Sequence, residues 1–170
     1  TSVREYLVAL FSKLPPEAFA AYRFDKDGPA RAAFEKARDS GNRVQLERAA
    51  EEYFFSSAAD DVIDALARQA FDEGRAFEAA LHWGRLLRYH PDTDFPKAAT
   101  AARLAVALRA AGSPSGLANL KAWVLEKGIQ GRLLQGGLEV ELASLLDAPA
   151  VETSRPVEAL AAPRLPETLG

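Results

Sequence analysis

The sequence predicts an all-α protein: a stack of antiparallel helical hairpins, about seven helices, with a short β-hairpin near its C-terminal end. Three observations carry that expectation. Apolar residues recur at three-and-four spacing through most of residues 1–126, and Ala and Gly are frequent where helices would cross. Glycines at 41, 74 and 112, which are 33 and 38 residues apart, close successive apolar stripes. An interval near 34 residues in a helical chain marks hairpins that bury their apolar sides only against one another.

Val3, Tyr6, Leu7, Leu10, Phe11 and Leu14 form one stripe, which predicts a first helix over Ser2–Leu14. Pro15 and Pro16 end it, and Pro16 suits the first position of the next helix, where its missing N–H would be unpaired anyway. Asp25–Pro29, DKDGP, reads as a turn, with a fresh helix starting at Pro29 and carrying Ala30, Ala33, Phe34 and Ala37 towards Gly41. The acidic string lacks the later ligands of a calcium loop, so the plain turn is the better reading. Val44–Phe55 is expected to be helical, with Val44, Leu46, Ala49, Ala50, Tyr53 and Phe54 available for burial. The aromatic triplet Tyr53, Phe54 and Phe55 should anchor a core at its end.

Ser57 and Asp60 have the spacing of a capping box for the following helix. The inner side of that helix carries Val62, Ile63, Leu66, Ala67, Ala70 and Phe71; Asp61, Asp64, Arg68 and Asp72 fall on the other. Gly74 closes it in a left-handed conformation, and Ala76–Tyr89 returns as a partner apolar over more than half its circumference. Gly84 inside that partner predicts the close approach of another helix. Lys97–Ala111 reads as a buried helix, and Ser113 with Pro114 starts the next, reaching Glu126 with Trp123 as anchor. Beyond Gly128, two runs flank Gly136 and Gly137 as a β-hairpin would, and Leu142–Leu146 adds a last helical turn. Residues 1–147 thus form the predicted domain, and the Pro- and Ala-rich residues 148–170 a linker or tail.

At 170 residues the chain fits one core, and 48% apolar with 26% charged residues is ordinary for a globular protein. It has no Cys, which excludes thiol chemistry and disulfides, and no Met, so Thr1 reads as the start of a processed or excised piece. No apolar run approaches the roughly 20 residues of a membrane helix. The net charge of -3 is spread as acidic, basic, acidic along the chain, without the dense basic stripe of a nucleic-acid binder.

Within Asp60–Pro91, Leu66, Ala67, Ala70, Gly74, Ala79, Trp83, Leu86 and Pro91 match the spacings of one tetratricopeptide repeat. Its neighbours keep the glycine but lack the terminal Pro. Two longer strings, SVREYLVALFSKLPPEAFAAYR and EEYFFSSAADDVIDALARQAFDEGRAFEAALHW, resemble the helical N-terminal region of bacterial PQQ-binding-like β-propeller proteins, which are similar to outer-membrane assembly factors. The likeness spans about residues 2–127. It implies a periplasmic or cell-envelope location, and a propeller following the Pro-rich segment.

No catalytic set emerges. His82 and His90 are the only histidines, and with Glu78 they supply too few ligands for a dedicated metal site. No GxSxG elbow or P-loop is present, and Gly128–Gly131 reads as a turn. The expected function is a non-enzymatic helical-repeat scaffold that holds a protein partner or its own propeller, without nucleic acid, cofactor or membrane span. The alternative is an accessory domain of a PQQ-type oxidoreductase whose chemistry lies in that propeller. In such stacks the first helix of each pair lines the concave side, which nominates Asp61, Asp64, Arg68, Asp72 and Arg103 as partner contacts. The same residues also suit the solvated face of an amphipathic helix.

Overall fold

The computed structural model describes residues 6, 8, 10, 11, 13–90, 93, 95–135 and 137–148. Its elements are α1 (Pro16–Asp39), α2 (Arg43–Glu52), α3 (Ala59–Asp72), α4 (Ala76–Tyr89), α5 (Lys97–Ala110), α6 (Pro114–Glu126), β1 (Arg132–Gln135), β2 (Leu138–Glu141) and α7 (Leu142–Asp147). This is the predicted all-α stack with one short antiparallel hairpin. Of the helix expected over Ser2–Leu14, Tyr6, Val8, Leu10 and Phe11 are helical; positions 2–5, 7, 9 and 12, like the expected tail over 149–170, lie outside the described residues.

The turns between helices repeat one device. After α3, Gly74 takes φ 78°. Its N–H donates to the Phe71 carbonyl at 3.0 Å, and that of Arg75 donates to the Ala70 carbonyl at 2.8 Å. These two bonds satisfy carbonyls that a helix end leaves open. Gly112 closes α5 and Gly128 closes α6 with the same pair of bonds. At Gly41 a side chain replaces the second bond: the Ser40 hydroxyl donates to the Ala37 carbonyl at 2.9 Å. Asn42 then caps α2 by accepting from the Gln45 N–H.

Five expectations are corrected. Asp25–Pro29 is no turn: α1 runs through it without interruption for 24 residues, with Pro29 inside. An interior Pro removes a hydrogen bond and crowds the preceding turn. Here residues 24–26 and 28–29 all face solvent, where water can take the freed carbonyl, while the next residue, Ala30, is fully buried. Val44 is exposed rather than buried, and α2 stops at Glu52, so the aromatic triplet lies in the turn after it. The triplet still anchors a core, in which Phe54 packs with Ile63 and Leu86. The Ser57 capping box does not form, because the Ser57 N–H is held by Asp27 Oδ1 at 2.8 Å and Ala58 becomes the N-cap. Asp60 instead accepts from the Thr93 hydroxyl at 2.8 Å.

The main core lies between α3, α4, α5, α6 and α7. Helix α4 packs extensively on both α3 and α5, as its wide apolar circumference requires. Helix α5 is buried nearly all round, through Thr100, Ala101, Ala102, Leu104, Ala105, Ala107 and Leu108. Leu120 and Val124 are the buried side chains of α6, with Trp123 only partly covered beside them.

Gly84 is the fifth correction, since a Cβ added there meets nothing within 4 Å. Close approach occurs elsewhere. A Cβ at Gly116 would stand 2.7 Å from Ser113 Oγ and 2.8 Å from Leu108 Cδ2, and one at Gly131 would stand 2.7 Å from Ala98 Cβ. Gly131 thus lets the base of the hairpin sit on α5. Gly84→Ala should therefore raise stability by about 0.5–1 kcal/mol through helix propensity. Gly131→Ala should lower it by about 1–3 kcal/mol through overpacking. Urea unfolding of both variants checks the opposite signs.

Candidate functional site

The centre of the site is a carboxylate with no solvent exposure, Asp64. It sits one turn before Arg68 on α3, and Ala67 and Phe71 continue its stripe at three-and-four spacing. Trp83 Nε1 of α4 and Arg103 Nη1 of α5 each donate to its Oδ1 at 2.9 Å. Arg68 donates to Oδ2 from Nε at 2.6 Å and also from Nη2. Burying a carboxylate is expensive unless its oxygens are met, and here both are met by charge-assisted or indole donors.

Above this network α3, α5, β1 and α7 enclose a groove of about 560 Å³. Phe71 and Trp83 form part of its wall, and Ala99, Ala102 and Val106 of α5 another. Leu133 and Leu134 of β1 close one side and Leu145 of α7 completes it. Arg68, Asp72 and Arg103 supply its polar lining. The Arg68 and Arg103 side chains remain 57% and 39% exposed, so each guanidinium shows its outer edge to the groove while its inner edge is held by Asp64.

Three of the five nominated residues therefore meet in one place: Arg68, Asp72 and Arg103. Asp64 does not present itself to a partner; it is the buried support that aims the two arginines. Asp61 is exposed near the start of α3 and is not among the groove-lining residues. The apolar lining went unnoticed in the sequence, although Val106, three residues after Arg103 and still 41% exposed, continues the Ala99–Arg103 face. Leu133 and Leu134 reach the groove only because the hairpin folds back onto α5.

A second, smaller cleft of about 110 Å³ lies between α2, α3 and α4, lined by Glu47, Glu51, His82, Arg85 and apolar neighbours. Glu78 binds Arg43 and Arg75 at its edge, and His82 Nε2 lies 3.7 Å from Glu78 Oε1. Burial works to raise the Glu78 carboxyl, but the hydrogen bonds from Arg75 and Arg43 outweigh it and hold it below its ordinary range. Burial pushes the His82 imidazole below its ordinary value, Arg85 adds to this, and Glu78 and Glu47 oppose it. Among the described residues no group of three or more His, Asp or Glu side chains is placed to hold a metal ion.

Two outcomes follow from these clusters. Asp64→Asn should destabilise the fold by about 2 kcal/mol, below the 3–5 of a fully buried pair because both arginines reach solvent. Urea unfolding measures the loss. For His82, the unfolded chain takes up a proton near 6.5 while the folded chain does so only at lower pH. The unfolded state then binds more protons, so the His82 contribution to stability is constant above that value and falls as pH drops from it towards the folded pKa. His82→Gln should flatten this slope between about pH 5 and 7, measured as unfolding free energy at both ends; an unchanged slope contradicts the assignment. No protein-family model, curated protein or solved structure matches this chain.

Proposed function

We propose that the chain is a non-enzymatic helical-repeat module of a larger cell-envelope protein, holding a partner protein or an adjoining propeller domain by a segment laid into the α3–α5 groove. The observation that carries this reading is the groove itself. It joins a concave apolar surface to a few fixed polar groups, the combination by which pockets bind and orient a ligand. Its arginines are oriented before any partner arrives, because Asp64 holds both, which lowers the ordering cost of association. The tetratricopeptide-like spacing of the glycine-closed hairpins supports the same reading, since such stacks bind along the side formed by the first helix of each pair.

Asp64 is unsuited to testing contact, because changing it alters the core. Val106→Glu places a charge in the groove at a position already partly exposed, and Phe77→Glu places one on α4 at a residue 63% exposed and away from the groove. Partner recovered from a cell-envelope extract should fall about tenfold with Val106→Glu and stay unchanged with Phe77→Glu. Equal recovery by both variants and the parent sinks the reading.

A further inference from the structure

The hairpin carries a second feature of the groove. Among the described residues strand β1 pairs with β2 alone, in the register Arg132↔Glu141, Leu133↔Val140, Leu134↔Glu139 and Gln135↔Leu138. The Leu142 N–H donates to the Gly131 carbonyl at 2.9 Å, and alternation along an antiparallel ladder then makes Leu133–Val140 and Gln135–Leu138 the hydrogen-bonded pairs. The backbone N–H and C=O of Leu134 and Arg132 therefore point away from β2. Leu133 and Leu134 line the groove and no β2 residue does, so this free edge borders it.

Free edges are ordinarily guarded by charge, Pro or a bulge. This one is guarded weakly. Leu134 stands at its centre, 79% exposed. The charge of Arg132 is drawn across the hairpin by Glu141 at 2.7 Å and Glu139 at 3.5 Å. Facing the edge across the groove, Arg68 keeps Nη1 and Arg103 keeps Nε and Nη2 outside the Asp64 network.

Building on the protein-binding reading of the groove, we infer that its occupant is an extended acidic–apolar segment of a partner protein that adds to β1 as a third strand. Main-chain bonds to Leu134 and Arg132 hold it, as in other strand-addition complexes. Alternate side chains of an extended segment share one face about 6.6–7 Å apart. An acid-x-apolar pattern thus reaches the arginines and the Phe71–Val106 wall from the same face. Charge complementarity sets the acid: two guanidiniums converge on one carboxylate and leave a positive surplus at that end, while Asp72 lies one turn further along α3.

The test uses the full chain, 15N-labelled, with a dye-labelled Thr-Glu-Thr-Leu-Thr-Glu-Thr-Leu peptide. Its Lys-for-Glu counterpart and a form N-methylated at alternate amides serve as comparisons. The Glu peptide should bind about tenfold more tightly than the Lys peptide at low salt, and the N-methylated form should lose about tenfold. Amide shifts should centre on Arg132 and Leu134. Leu134→Pro removes the edge N–H, leaves the Asp64 network intact and should lose binding with the helical circular dichroism unchanged. Equal binding by the Lys or N-methylated peptide, no binding by any, or shifts confined elsewhere overturns the inference. A helix-forming peptide that fills the groove in place of the strand also overturns it while leaving the protein-binding reading intact; that reading fails only on the Val106→Glu comparison.

Discussion

The hydrogen bonds of Asp64 hold three successive helices in one arrangement. Its partners come from α3 itself, from Trp83 on α4 and from Arg103 on α5, so a single carboxylate joins elements up to 39 residues apart. The surrounding contacts are less directional. Ala67, Ala70, Ala79, Ala80, Ala101, Ala102 and Ala105 supply much of the helix interfaces beside Trp83, Leu87, Leu104 and Leu108, and apolar contacts tolerate small shifts. Directional bonds to one buried carboxylate do not. A shift of one residue along α4 or α5 would withdraw the indole or the guanidinium and leave Asp64 unmet. The groove depends on the same arrangement, because its two arginines are oriented only while Asp64 holds their inner edges.

What the sequence made legible is what is encoded locally. The glycine closures at 41, 74 and 112 each need one residue with positive φ and hydrogen bonds to groups close by in the chain, and the apolar stripes declare their own period. The hairpin was legible for the same reason, its register following from a two-residue turn. Asp64 was not, since its neighbours Asp60, Asp61 and Arg68 give it the company of a solvated face. Its stripe with Ala67 and Phe71 was visible, as was the need of a buried Trp83 for a hydrogen-bond acceptor. The third member, Arg103, lies too far along the chain for spacing to reveal. The candidate groove was therefore half visible: its charges stood on the expected helices, while its β1 and α7 wall depends on how the hairpin folds back.

Small residues show the same boundary between local and distant information. Gly84 lies between Trp83 and Arg85 and Gly131 between Gln130 and Arg132, and neither setting says which glycine is crowded. Only Gly131 has another helix against it, at Ala98. Pro29 makes the converse point: a residue that ends helices by its own chemistry is carried inside α1 because the following turn, through Ala30 and Phe34, is buried against α2 and α3.

The recurring glycine closures have a consequence for how the chain reaches this structure. Each returns the chain within a few residues, so most packing partners are near neighbours in sequence; the widest side-chain hydrogen bonds among the described residues span 39 positions. Little loop-closure entropy has to be overcome before a contact forms. Topologies of this kind lie at the fast end of the folding-rate scale. Pairs of helices can associate one after another, and the three-helix bond set around Asp64 is complete only once α5 has joined α3 and α4.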